Sequence, residues 1–262
     1  MTITISGTKI GFSDTKHGQP VLFLHGWSQS SECWNVPSAI KQKYRVVTID
    51  FPGHGKAEIT KAYTLDDLVG LVLQFSLELK LEKPILVCHS MACEIAARLL
   101  SYHPDFAKAV VLAAPAGIRS ISLLRGKKMA LLSLLPLSCH AKASILKHLY
   151  KRTTKEKLHQ NIKTDQLLRE TYINLLSENV AKDYKKISVP THVIWGEKDT
   201  IIPLKTGRRL TRLIKNSQLY VIQQCGHFPF EEHRKEFYQL LGELLKQTTC
   251  LTYIRVVRDK LQ

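Results

Sequence analysis

Three residues far apart along this 262-residue chain have the types and surroundings needed to activate an alcohol. Ser90 lies in Leu86-Val-Cys-His-Ser-Met-Ala-Cys93, between a strand-like apolar run and a segment with helical spacing, with Ile95, Ala96, Leu99 and Leu100 on one side. A serine at such a turn can be held strained with its hydroxyl above the sheet, provided the residues two positions either side are small. Those residues are Cys88 and Ala92, both small but neither a glycine. Asp199 closes Gly196-Glu-Lys-Asp199, and His227 follows Gly226. A serine hydroxyl is a poor nucleophile unless a base takes its proton and a third group orients that base. His227 and Asp199 can fill those roles, although each alone is as readily a loop histidine and a turn former.

These side chains need a frame that brings distant segments to one edge. Pro20–Leu24, Tyr44–Ile49, Pro84–Cys88, Lys108–Ala114 and Pro190–Trp195 are short apolar runs, as expected for strands buried on both faces of a parallel sheet. Thr2–Ile5 and Lys9–Ser13 alternate and read as a hairpin, and Gln218–Gln223 reads as the last core strand. Helices are expected over Trp34–Ile40, from a Thr64 cap to Leu79, over Leu204–Ile214 and over Glu231–Lys246. Between residues 116 and 187 the strand rhythm stops; Ile121–Leu137, Ser144–Lys151 and Asp165–Leu176 read as helices. The expectation is an α/β core of residues 1–115 and 188–262, with a helical cap (lid) insertion at 116–187. The tail from Thr248 has strand-like composition and no obvious place.

Composition narrows the classes. A hydrophobic fraction of 44% supports a large core. The most apolar stretch, Ile118–Leu137, is interrupted by Arg119, Arg125, Lys127 and Lys128, which argues against a transmembrane span. The first residues lack a basic start with an apolar core, and Cys33, Cys88, Cys93, Cys139, Cys225 and Cys250 form no C-x-x-C pair. Reduced thiols and a cytoplasmic location are the expectation. The net charge is +16 and uneven: residues 115–187 carry 15 basic and 5 acidic side chains, against 11 and 10 in residues 1–114. Such a segment can steer an acidic partner or present a solvated face. No aromatic–basic alternation accompanies the charge, so nucleic acid is not an expected partner.

Taken in order, His25-Gly-Trp27, Asp50-Phe-Pro-Gly-His-Gly55, Cys88-His-Ser-Met-Ala92, Gly196-Glu-Lys-Asp199 and Gly226-His227 resemble the α/β-hydrolase superfamily over residues 3 to 247. The resemblance implies a mostly parallel eight-stranded sheet flanked by helices and a Ser90–His227–Asp199 triad. It also implies an oxyanion hole from the backbone N–H groups of Trp27 and Met91, with no metal or cofactor. His25 and His54 would fix loops, His89 would have no chemical part, and Trp27 would line the pocket. A serine at 90 separates the chain from relatives with an aspartate nucleophile. The His25-Gly-Trp27 and Gly226-His-Phe-Pro-Phe230 segments are similar to those of the biotin-synthesis esterases, which demethylate pimeloyl-[acyl-carrier protein] methyl ester. That likeness implies a serine carboxylesterase whose basic cap meets an acidic acyl carrier protein through Arg119, Arg125, Lys127, Lys128, Lys142, Lys147, Lys151 and Arg152. A lipase-like enzyme or thioesterase, a carbon–carbon bond hydrolase and a non-catalytic binding protein on the same fold stand as alternatives.

Overall fold

The structure, a computed structural model, describes residues 1–118 and 165–259. Its strands are β1 (Thr2–Ile5), β2 (Thr8–Asp14), β3 (Gln19–Leu24), β4 (Tyr44–Ile49), β5 (Ile85–His89), β6 (Ala109–Ala113), β7 (Thr191–Gly196) and β8 (Ser217–Ile222). They form an eight-stranded sheet in the order β1-β2-β4-β3-β5-β6-β7-β8. The β1–β2 and β2–β4 pairs are antiparallel, and every pair from β4–β3 to β7–β8 is parallel. Strand order reverses between β3 and β5, because β4 lies on one side of β3 and β5 on the other. A crevice at the carboxyl ends of such strands is where open α/β sheets place their sites.

Side-chain alternation explains why the central strands are apolar throughout. Leu22, Leu24, Leu86, Val110, Leu112 and Val193 face one buried layer, while Val21, Phe23, Ile85, Val87, Val111 and Ile194 face the other. The first layer is closed by α2 (Leu65–Glu78), α3 (Met91–Tyr102), α5 (Ala181–Lys186) and α6 (Leu204–Leu213), and receives Leu168 and Leu175 of α4 (Gln166–Ser177). α1 (Ser38–Lys41), α7 (Pro229–Glu232) and α8 (Arg234–Asp259) close the second. α2 opens on a capping box: Thr64 Oγ1 accepts from Asp67 N–H, and Asp67 accepts from Thr64 N–H. Arg98 of α3 ties three segments together, reaching Asp66, Glu178 and Asp183 at 2.8, 2.9 and 2.9 Å.

Two expectations need correction. Trp34–Ile40 is not one helix but a 3₁₀ turn at Ser31–Trp34 and a separate α1. Pro37 disfavours helical geometry at Val36 and lacks an N–H, so the two cannot join. The strand-like tail is instead part of α8, which begins after a break at His233 and runs to Asp259. Thr248 and Thr249 hydroxyls donate back to the carbonyls of Leu244 and Leu245, and an established helix adds residues at little cost. Helices expected at Ile121–Leu137 and Ser144–Lys151 lie outside the described residues, as do the eight cap cations from Arg119 to Arg152. Among the described residues, no helix is long and apolar enough to cross a membrane.

Candidate active site

Ser90 sits at the turn from β5 into α3 with φ 49° and ψ −111°. This strained backbone costs of order 1–3 kcal/mol and persists because its surroundings fix it. Ser90 N–H donates to Ala113 carbonyl at 3.0 Å, and Ser90 carbonyl accepts from Cys93 and Ala116 N–H. Cys88 and Ala92 are fully buried, so these small residues fill the place between strand and helix where glycines were absent. Burial pushes the Cys88 and Cys93 thiols well up, which fits packing rather than reactivity.

The three sequence-derived candidates meet at this edge. His227 Nε2 is 3.1 Å from Ser90 Oγ, and His227 Nδ1 is 2.7 Å from Asp199 Oδ2. Both His227 and Asp199 are buried. The other Asp199 oxygen accepts from Ile201 and Ile202 N–H, each at 2.8 Å, so the carboxylate is oriented before the imidazole engages it. The acid and histidine loops touch through main chain. Lys198 N–H donates to Cys225 carbonyl at 2.7 Å, and a Cβ at Gly196 would stand 2.0 Å from Gly226 carbonyl oxygen.

The structure places Trp27 in the loop after β3 and Met91 at the first residue of α3. First-turn N–H groups have no partner inside their own helix, so Met91 N–H can serve an anion. The Trp27 ring is buried against His54 and Tyr172, with centroids 5.0 and 4.7 Å away. A cleft of about 530 Å³ nearby is lined by Phe228 together with Ser28, Gln29, His54, Leu168 and Glu231.

His25 and His54 hold loops. His25 Nε2 accepts from Phe51 N–H at 3.0 Å, and its Nδ1–H donates to Gly26 carbonyl; burial, reinforced by His54, lowers its pKa to about 3. His54 Nε2 accepts from Ser28 N–H and its Nδ1–H donates to Pro52 carbonyl. Sequence reasoning missed three supports. Asp50 accepts from Ser31 and Lys56 N–H, Glu232 accepts from Gly226 and Phe228 N–H, and Gln29 meets both Glu231 and His89. Each binds main chain or a side chain distant in sequence, which leaves no local pattern to read. Among the described residues, no cluster of three or more His, Cys, Asp or Glu could hold a metal ion.

A reversed-order parallel sheet, a strained serine after its central strand and a histidine–carboxylate pair on later loops define one class. The chain belongs to the alpha/beta hydrolase family, whose profile matches residues 21–240, and it is a hydrolase. Its relatives include the 2-hydroxy-6-oxononadienedioate/2-hydroxy-6-oxononatrienedioate hydrolase of Paraburkholderia phymatum, 30% identical over 91% of each chain. The monoacylglycerol lipase ABHD6 of Homo sapiens is 26% identical over 87% of this chain and 76% of its own length. A solved bacterial membrane phospholipase A, described as a virulence factor, shares the fold at TM-score 0.75 and 19% identity, over 95% of this chain and 86% of its own.

Proposed function

We propose that the chain is a serine carboxylesterase working through Ser90, His227 and Asp199. The observation that carries this reading is the continuous contact from Ser90 Oγ through the His227 ring to Asp199 Oδ2. Ser90 Oγ attacks the ester carbonyl carbon as His227 Nε2 takes the hydroxyl proton. The carbonyl oxygen becomes an oxyanion facing the N–H groups of Trp27 and Met91; one such donor is typically worth about 10²–10³ in rate. His227 returns the proton to the departing alkoxide, leaving an acyl-enzyme that water cleaves by the same steps in reverse roles. Asp199 holds the Nδ1–H tautomer and stabilises the imidazolium between steps. This chemistry needs no cofactor.

For substrate, we favour pimeloyl-[acyl-carrier protein] methyl ester. The loop likeness to biotin-synthesis esterases and the cation excess of residues 115–187 support that choice. In this reading residues 116–187 form the lid over a core of 1–115 and 188–262, and Arg119, Arg125, Lys127, Lys128, Lys142, Lys147, Lys151 and Arg152 receive the acidic carrier. A second reading, carbon–carbon bond hydrolysis of a ring-fission product, is favoured by the Paraburkholderia relative. A substrate panel separates them. The first reading expects the carrier-linked methyl ester to be turned over with a KM that rises with salt and on neutralising the lid cations. Preferential cleavage of a 2-hydroxy-6-oxo dienoate would replace it.

A further inference from the structure

His89, the last residue of β5, is buried to 1% exposure, and its ring touches three aromatic neighbours: His227, Phe228 and Phe230, at 4.9, 5.3 and 4.9 Å between centroids. Its Nε2 is 2.9 Å from the main-chain carbonyl oxygen of His227, and its Nδ1 is 2.7 Å from Gln29 Oε1. Gln29 Oε1 also accepts from Gly26 N–H at 3.3 Å, and Gln29 Nε2 donates to Glu231 at 3.2 Å. Thus one ring bridges the loop after β3 and the loop that carries His227.

The arrangement is one proton short. A carbonyl oxygen can only accept, so the contact with His227 is a hydrogen bond only when His89 Nε2 carries a hydrogen. Gln29 Oε1 is an acceptor too, and a neutral imidazole donates from one nitrogen alone. A second proton would place a cation in a fully buried site beside His227 and His25. Burial, followed by those two rings, holds the His89 pKa well below its ordinary value. Turning the Gln29 amide would give His89 Nδ1 a donor, at the cost of the bond that Oε1 accepts from Gly26 N–H. Glu231, which the oxygen then faces, is exposed at the surface and can turn to water.

We propose that His89 is a positioning residue: neutral, with its hydrogen on Nε2, it holds the His227 carbonyl so that the His227 ring reaches Ser90. Glu232 already holds the N–H groups of Gly226 and Phe228, on either side of His227. The carbonyl between them has His89 as its donor among the described residues. Fixing the main chain at both ends of one residue sets the direction of its side chain. The proposal rests on the reading of Ser90 and His227 as the reacting pair.

Two substitutions separate positioning from packing. His89→Phe keeps an aromatic ring against Phe228 and Phe230 but donates nothing. His89→Gln loses the ring but can place its amide N–H where Nε2 stood. The readouts are kcat and KM on a short p-nitrophenyl ester, and the rate of Ser90 labelling by a fluorophosphonate, on protein shown by circular dichroism to be folded. We expect His89→Phe to lower kcat and the labelling rate by roughly 10²-fold with KM little changed, the scale of loss from a small misplacement of a catalytic group. His89→Gln should recover most of that loss and leave the acid limb of the pH profile where it is in the wild type, because a neutral ring exerts no charge on His227. A fully active Phe variant, or a Gln variant as slow as Phe, would overturn the proposal. If the Phe variant does not fold, the Gln variant decides alone, and labelling slowed about 10²-fold would reject the donor role. Should Ser90→Ala leave hydrolysis intact, the active-site reading itself fails; a dead Ser90→Ala beside a normal His89→Phe sinks only this inference.

Discussion

Asp199 divides its two carboxylate oxygens between different tasks: Oδ2 meets His227 Nδ1 at 2.7 Å, while Oδ1 is held by the N–H groups of Ile201 and Ile202. The loop therefore sets the carboxylate, and the carboxylate sets the imidazole tautomer. Asn at this position keeps the carbonyl oxygen for the loop but offers His227 an amide N–H, which favours the wrong tautomer. Asp199→Asn should lower kcat on ester substrates by about 10⁴-fold while circular dichroism is unchanged. A loss of tenfold or less would mean that the imidazole does not need this partner.

Gly196 lies where the acid and histidine loops nearly collide, and a Cβ there would meet both the Gly226 and Cys225 carbonyls at 2.0 and 2.5 Å. Both obstacles are main chain and cannot swing away. Gly196→Ala should part Asp199 from His227, lowering activity and Tm together. Gly70 in α2 has open space around it, so Gly70→Ala should instead raise stability by about 0.5–1 kcal/mol. Thermal melts of the two variants give opposite signs if the packing is as described.

Arg98 is mostly buried and binds three carboxylates, of which Asp183 is mostly buried as well and Asp66 is exposed. Removing the guanidinium leaves Asp183 with Ser101 Oγ as a remaining neutral donor. Arg98→Met is expected to cost about 2–4 kcal/mol, less than a wholly buried pair because water reaches Asp66 and Glu178. Urea unfolding at neutral pH measures it, and a change below about 0.5 kcal/mol would place this cluster among ordinary surface pairs.

Much of this arrangement is legible in the sequence because strands buried on both faces are continuous apolar runs. Chemistry at their ends, such as Ser90 after β5 and Asp199 after β7, follows from those runs. Where reading failed, the deciding interaction was not in the side-chain pattern. Pro37 split a helix that the apolar spacing of Trp34 to Ile40 suggested. The β-branched tail joined α8 because helix growth outweighs weak strand preference. His89, Gln29 and Glu232 could not be read as supports, since their partners are main-chain atoms or side chains brought near only by the fold. The Cys88 and Ala92 departures from glycine stand beside a strained Ser90, both side chains fully buried.

His25 gives a pH dependence of stability with a defined sign. In the folded state its Nε2 must stay bare to accept from Phe51 N–H, and its pKa falls from 6.5 to about 3. A depressed folded-state value means that the unfolded chain binds the proton first on acidification. The contribution is full above pH 6.5 and declines as pH falls toward about 3. Tm of the wild type should therefore drop over that window more steeply than Tm of His25→Asn, whose side chain does not titrate. Parallel curves would assign acid sensitivity elsewhere.

The most direct test asks whether the hydroxyl beside His227 is the nucleophile. Wild type and Ser90→Ala are treated with a fluorophosphonate, digested and mapped, and both are assayed on a short p-nitrophenyl ester. The account predicts one adduct, on Ser90, and a Ser90→Ala rate lower by on the order of 10⁶. An adduct on another residue, or a variant that hydrolyses the ester as the wild type does, would contradict it.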